Sequence, residues 1–375
     1  MYNSNRDGGL SVRPVFSLSQ NTSFIIDVIA NPAEGGEVNG GGTYQEGAEC
    51  TLTATANEGY SFTNWTENGE VVSTDATYTF TVSTDRTLVA NFTQNGGGGN
   101  VPTGAINGIF SVSESQQVYF SQGNLQYNKT TSVWSFMENQ YDMVETDEQE
   151  VGEDYADQDV VSLFGWGTSG YNHGANAYQP WSTSTYSWDY YAYGANTNNL
   201  YDGNGKADWG YNAINNGGNA ENSGWRTLTQ PEWDYVFFTR STASDIRYAK
   251  AQITGTNKGT INGVILLPDN WTASTYALNS TNGGYGVDFT TNTITAEDWT
   301  NILEANGAVF LPAAGRRYEA WVNDVGSYGD YWSASYYEDT DSFARYLLFD
   351  SVLLWADYAL DRNFGASVRL VRLAE

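Results

Sequence analysis

The sequence predicts an α+β protein, a small all-β unit followed by a much larger mixed unit. Three observations lead there. Short runs of alternating or β-branched residues recur along the chain and are cut by Gly-rich turns. Only two stretches carry the start signals of a helix, and both lie in the second half. Gly (40 residues) and aromatic residues (15%) are abundant while charged residues are few (16%), the composition of a loop-rich β protein.

Composition also removes whole classes of function. A length of 375 residues implies more than one domain, and a net charge of −28 argues against nucleic acid and against anionic membrane surfaces. No run of about 18 apolar residues is present to cross a bilayer, and no signal peptide is evident. Cys50 is the single cysteine and His173 the single histidine. An internal disulfide, a cysteine-bound zinc, a multi-histidine metal site and a Ser–His–Asp arrangement therefore lack their residues. Cys50 alternates with Leu52 and reads as a small core residue.

Residues 2 to 15 repeat residues 358 to 371 without a gap: Tyr2, Arg6, Gly9, Ser11, Val12, Arg13 and Val15 align with Tyr358, Arg362, Gly365, Ser367, Val368, Arg369 and Val371. Residues 1–18 thus read as the tail of a preceding copy of the C-terminal domain, and the chain as a fragment of a tandem array. Residues 22–93 form the all-β unit, with strands expected at Phe24–Ile29, Cys50–Thr55, Tyr78–Val82 and Thr87–Phe92. Residues 94–104, rich in Gly, read as a flexible linker.

One large domain is expected over 105–375. Ile109–Val112 and Val118–Ser121 read as its opening strands. The acidic stretch from Asp142 to Asp159 lacks the spacing of a calcium loop and reads as solvated, with structural calcium left open. Residues 164–218 read as long ordered loops. Thr229-Gln-Pro-Glu232 is a capping box that starts a helix with Trp233, Val236 and Phe237 inward. Thr295-Ala-Glu-Asp298 starts a second, with Trp299, Ile302 and Leu303 inward and Asn306-Gly307 as its stop. Ala308–Pro312 reads as a buried strand.

The closing stretch, residues 329–371, interleaves two residue sets. Tyr331, Trp332, Leu347, Phe349, Val368 and Val371 suit a core. Tyr336, Tyr337, Asp339, Asp341, Phe343, Tyr346, Leu348, Asp350, Asp357 and Tyr358 suit a mixed aromatic and acidic binding surface. Between Arg345 and Ser351 the sets alternate, so one strand face is expected to pack and the other to meet a ligand.

Two resemblances extend this reading. The run from Asn31 to Phe92, with its Gly-Gly-x-Val, Gly-Tyr-x-Phe-x-x-Trp and Ala-Asn-Phe landmarks, resembles the divergent internalin-type B-repeat. That implies a spacer module of extracellular bacterial proteins, with Tyr60, Phe62 and Trp65 as core aromatics. Gly224-Trp-Arg-Thr-Leu-Thr-Gln-Pro-Glu-Trp, Leu311-Pro-Ala-Ala-Gly-Arg-Arg, Gly329-Asp-Tyr-Trp-Ser-Ala-Ser and Arg362-x-x-Gly-x-Ser-Val-Arg369 resemble the formylglycine-generating-enzyme-like branch of the C-type lectin fold. The enzymes of that branch need cysteines or a histidine cluster that residues 105–375 lack, and Gln230-Pro-Glu with Trp321-Val-Asn-Asp does not make a calcium-dependent lectin site. The sequence therefore argues against an enzyme.

The C-terminal pattern is also similar to the variable region of proteins diversified by retroelements, in which Asn codons of the template become many other residues. That resemblance adds Val352, Ala359, Leu360, Asp361, Asn363, Phe364 and Ala366 to the candidate surface. Glu338 and Trp355 are not reached from an Asn codon and are assigned to the scaffold. The expected function is ligand binding by an extracellular or surface-attached adhesin-type protein, its partner a protein or glycan, with no cofactor. A fixed adhesin or glycan-binding module, a structural array domain and an enzyme of the same fold are the alternatives.

Overall fold

The computed structural model describes residues 22–57, 60–94, 101–171, 178–186, 189–191 and 197–374. The chain divides into two compact units, Met1–Gln94 and Asn95–Glu375. The expected upstream copy at 1–18, most of the linker and His173 lie outside the described residues. Strands are the dominant element in both units.

In the first unit the alternation around Cys50 becomes the strand Glu49–Ala56, which sends Cys50, Leu52 and Ala54 into the core and turns Thr51 and Thr55 to water. It is the centre of a three-stranded sheet between Gly36–Asn39 and Thr77–Thr81. A five-stranded sheet runs in the order Gly42–Gln45, Ser23–Asn31, Arg86–Gln94, Tyr60–Glu67, Glu70–Ser73. Trp65 is fully buried beside Cys50 and Leu88, and Tyr60 and Phe62 pack against this core, as expected.

In the second unit an opening strand pairs with the last one. Gln117–Phe120 lies between Phe110–Ser111 and Leu370–Leu373, and Trp225–Thr227 adds to the far side. Both helix starts are present. Thr229 Oγ1 accepts from the Glu232 amide at 3.4 Å and Glu232 accepts from the Thr229 amide at 2.8 Å, which satisfies two amides that a helix start leaves free. The turn Gln230–Asp234 then widens into a π-turn, Tyr235–Thr239, with Trp233, Val236 and Phe237 buried. Thr295 caps Ala296–Asp298, and the chain leaves this helical stretch at Gly307, whose φ of 84° suits glycine. Val309–Pro312 is buried along its length at one edge of a sheet with Gly259–Leu266, Tyr248–Thr256 and Thr293–Thr295.

Between Val161 and Trp225 no strand occurs among the described residues, yet Trp166, Leu200 and Trp209 are buried, so these loops are packed structure. The acidic stretch is exposed at Asp147, Glu148, Glu150, Glu153, Asp154 and Asp157, as expected, and departs from that expectation at Glu145. Glu145 is buried and accepts from the Ser162 amide and hydroxyl, which replace the water it has lost. Burial lifts its carboxyl above the usual range.

Candidate functional site

The candidate surface lies on an antiparallel sheet of Gly329–Tyr336, Phe343–Phe349 and Leu354–Asp361. One face contributes Tyr331, Leu347, Phe349, Leu354 and Ala356 to a core shared with Trp233 and Phe237. The opposite face contributes Trp332, Tyr346, Leu348 and Leu360 to a second core with Trp166 and Trp209. The first core approaches so closely at Gly329 that an added Cβ would lie 2.0 Å from the Phe349 ring.

This corrects the expectation of one packed and one ligand-facing side. Tyr346 is 1% exposed, and Leu348, Leu360, Asn363 and Ala366 are buried with it. The middle strand is clamped between two cores, so both side-chain parities are used for packing. The signal was present in Tyr346-Leu-Leu-Phe349, an unbroken apolar run of the kind that marks a strand buried on both faces. Asp350 has a local role: its Oδ1 accepts the amides of Val352 and Leu353, both at 2.6 Å, and holds the turn to the next strand.

What remains accessible is a rim along the third strand. Tyr346 pairs with Tyr358 and Leu348 with Trp355, so Leu347 alone faces both Ala356 and Asp357. This β-bulge resets the parity and puts Trp355 and Tyr358 on the same face. Their rings stack at 5.2 Å and 24°, and Tyr358 meets buried Tyr346 edge-on at 5.8 Å. Trp355 is 42% and Tyr358 45% exposed, forming an aromatic ledge supported from beneath. Val352 is exposed in the preceding turn and Asp357 within the bulge. Trp355, assigned above to the scaffold, is thus a surface residue, because codon reasoning carries no information about which way a bulged strand points.

At the far end of the middle strand Arg345 organises a polar patch. It lies over the Tyr337 ring at 4.6 Å, pairs with Glu338 at 2.5 Å and donates to the Asp357 carbonyl at 2.6 Å. Tyr337 packs on Phe343 and donates its hydroxyl to Asp339 at 2.8 Å. Glu338 is exposed. Tyr336, Asp341, Ala359, Asp361 and Phe364 are half-buried, and Phe364 packs on Tyr318 at 4.8 Å.

Apart from Tyr358, the residues shared with the N-terminal repeat lie in the interior. Arg362 donates to the carbonyls of Phe343 (3.0 Å) and Tyr191 (2.8 Å) and lies 4.6 Å from the Trp166 ring. Trp332 Nε1 donates to the Phe164 carbonyl at 2.6 Å, Trp166 Nε1 to that of Ser333 at 2.9 Å and Tyr331 to that of Pro312 at 2.9 Å. These acceptors belong to the main chain, so the bonds do not depend on the side chains of the loops they hold. Burial lowers Arg362 and Arg369 to about 10, which leaves both charged at neutral pH.

Asp330 is the exception to this economy. It is fully buried, neither carboxylate oxygen has a hydrogen-bond partner, and the Arg316 guanidinium stands 3.7 Å away, bonded instead to Asp324 at 2.9 Å. Desolvation raises its carboxyl to about 7. Burial beside Asp330 also drives the Tyr346 hydroxyl well above its ordinary value.

The first unit matches a known family. Residues 26–96 fit the model described as the divergent InlB B-repeat domain, in agreement with the landmarks of the sequence. No curated protein and no solved structure matches the chain. The B-repeat match ends at residue 96, and the aromatic ledge lies wholly in the second unit. Among the described residues no group of three or more His, Cys, Asp or Glu is placed to hold a metal ion, and no helix is long and apolar enough to cross a membrane.

Proposed function

We propose that the chain belongs to an extracellular or surface-attached binding protein. The second unit, C-type-lectin-like, recognises a protein or glycan through its rim, and the B-repeat unit serves as a spacer. B-repeat domains are typically extracellular or at the cell surface, which supports the location. The pairing of Gln117–Phe120 with the last strand of the second unit, its two capped helices and the buried Arg362 and Arg369 support the fold assignment.

One observation carries the functional reading: two large aromatic rings, Trp355 and Tyr358, are stacked and half open to solvent at the rim of a sheet that packs into a core on each face. Rigid aromatic side chains give broad contact at little entropic cost and serve as anchors of binding surfaces. Tyr337, Phe343, Asp339, Asp357 and Val352 complete the proposed surface. Protein and glycan arrays probed with the wild type and with Trp355→Ala/Tyr358→Ala test it. The reading expects a ligand that the double variant loses while it stays folded, its melting temperature lowered by no more than a few degrees. Retained binding would refute the ledge.

A fixed surface is favoured over one diversified at every candidate position. Tyr346, Leu348, Leu360 and Ala366 fill the core, where arbitrary replacement opens cavities or overpacks. Any diversification is then confined to the rim. A template copy with adenines at the codons of the four buried positions would reverse this preference.

A further inference from the structure

The strand Leu354–Asp361 is the outer strand of its sheet. Phe343–Phe349 pairs with it on one side, and among the described residues no strand lies along the other. Outside that pairing, the only main-chain bond to it among the described residues is a local turn, from the Phe364 amide to the Asp361 carbonyl. An edge strand keeps the amide and carbonyl of every second residue free on its open side. Trp355, Asp357 and Tyr358 are exposed along it, so solvent reaches this edge. The sequence does little to blunt it: Leu354-Trp-Ala-Asp-Tyr-Ala-Leu-Asp361 contains neither proline nor lysine. The bulge at Ala356-Asp357 shortens the regular ladder without covering it.

The proposed surface is divided between the two faces of that edge. Trp355 and Tyr358 stand on the face of Leu348 and Tyr346. Asp357 stands on the opposite face with Leu347, and Arg345 and Phe343 share that face because they alternate with Tyr346. A ligand resting on one face touches only half of this set. A strand added along the edge sends alternate side chains to either face and reaches both. Charge then favours one kind of strand. The turn Gln230–Asp234 packs beside Leu354–Asp361, and burial together with the Asp357 carboxylate lifts the Asp234 carboxyl above its usual range. Arg345, the cation of this face, is already paired with Glu338 and bonded to the Asp357 carbonyl. A net charge of −28 sets a second copy of the chain against itself at such an edge.

We propose that the edge of Leu354–Asp361 receives an extended segment of a basic partner protein as an added strand, with apolar side chains over Trp355 and Tyr358 and a lysine or arginine against Asp357 and Asp234. The proposal rests on the ledge as a binding surface and deepens it: the partner is a protein, held through its main chain.

A phage-displayed library of random heptapeptides, selected on the full chain, tests the proposal, with the selected peptides synthesised and measured by fluorescence anisotropy. Peptides that alternate apolar residues with Lys or Arg are expected. N-methylation at residues of one parity should weaken them about tenfold or more, while N-methylation at the other parity is tolerated. Binding should also weaken with salt and in Asp357→Asn, an exposed position whose replacement leaves the fold intact. Peptides that Trp355→Ala/Tyr358→Ala abolishes but that tolerate N-methylation at both parities overturn strand addition and leave the ledge standing. Peptides indifferent to that double variant overturn the proposal, as does a selection that enriches none; the glycan arrays then decide the ledge by themselves. A concentration-dependent dimer of the chain that the peptides dissociate assigns the edge to a second copy and overturns the basic partner.

Discussion

Asp330→Asn separates the electrostatic content of the sheet from its packing. The native carboxyl is buried without a hydrogen bond and titrates at about 7, against an ordinary 3.8 in the unfolded chain. Between those values the unfolded chain has lost a proton that the folded chain still holds, so stability falls as pH rises. The contribution is complete below about pH 4 and is lost as pH passes through 7. At 1.36 kcal/mol per unit, the interval corresponds to a ceiling of about 4 kcal/mol, lowered by any movement of Arg316 toward the ionised group. Asn cannot ionise, so the wild-type stability measured against that of the variant should decline between pH 4 and 8 by an amount approaching this ceiling. Subtraction cancels Asp208, which burial raises to about 6. Urea unfolding followed by tryptophan fluorescence is the assay, since Trp65 is the single tryptophan of the first unit and the signal reports mainly the second. A difference that stays flat from pH 4 to 8 refutes a buried, unpartnered Asp330.

Tyr346→Ala empties a closed core and should cost about 3–5 kcal/mol, whereas Tyr358→Ala, on the rim, should cost about 1 kcal/mol or less; paired denaturation curves decide. Gly329→Ala forces a methyl into the Phe349 ring and should destabilise by about 1–3 kcal/mol in the same assay. Arg362→Met leaves the Phe343 and Tyr191 carbonyls without their donor and should cost about 3 kcal/mol, read as a lowered urea midpoint. Thr229→Ala removes one arm of the capping box and should cost about 1 kcal/mol by the same measure.

Much of the fold was legible because its signals are local. The alternation through Cys50, Leu52 and Ala54, the capping box at Thr229, the N-cap at Thr295, the stop at Gly307 and the apolar run before Pro312 each specify structure within a few residues. The orientation of the C-terminal strands was not legible, because it depends on what packs against them from far away in sequence. Trp166 and Trp209 cover one face of Phe343–Phe349 and Trp233 covers the other, and nothing between Arg345 and Ser351 records both. The bulge at Ala356-Asp357 then reverses which side chains of the last strand face out. Period-two reasoning therefore placed Tyr346 on the surface and gave no reason to place Trp355 there. Arg345 was passed over for a related reason: its role lies in joining Tyr337, Glu338 and the Asp357 carbonyl, which meet only in three dimensions.

The division between an interior that must be kept and a rim that is free to bind is tested most directly by a saturation library over residues 336–366, displayed on cells and sorted for folded protein. The account predicts broad tolerance at Tyr337, Asp339, Val352, Trp355, Asp357 and Tyr358, and depletion of most substitutions at Trp332-facing Tyr346 and at Leu348, Leu360, Arg362 and Ala366. Free substitution at Tyr346 and Leu348 together with strict retention of Trp355 and Tyr358 for folding would contradict it.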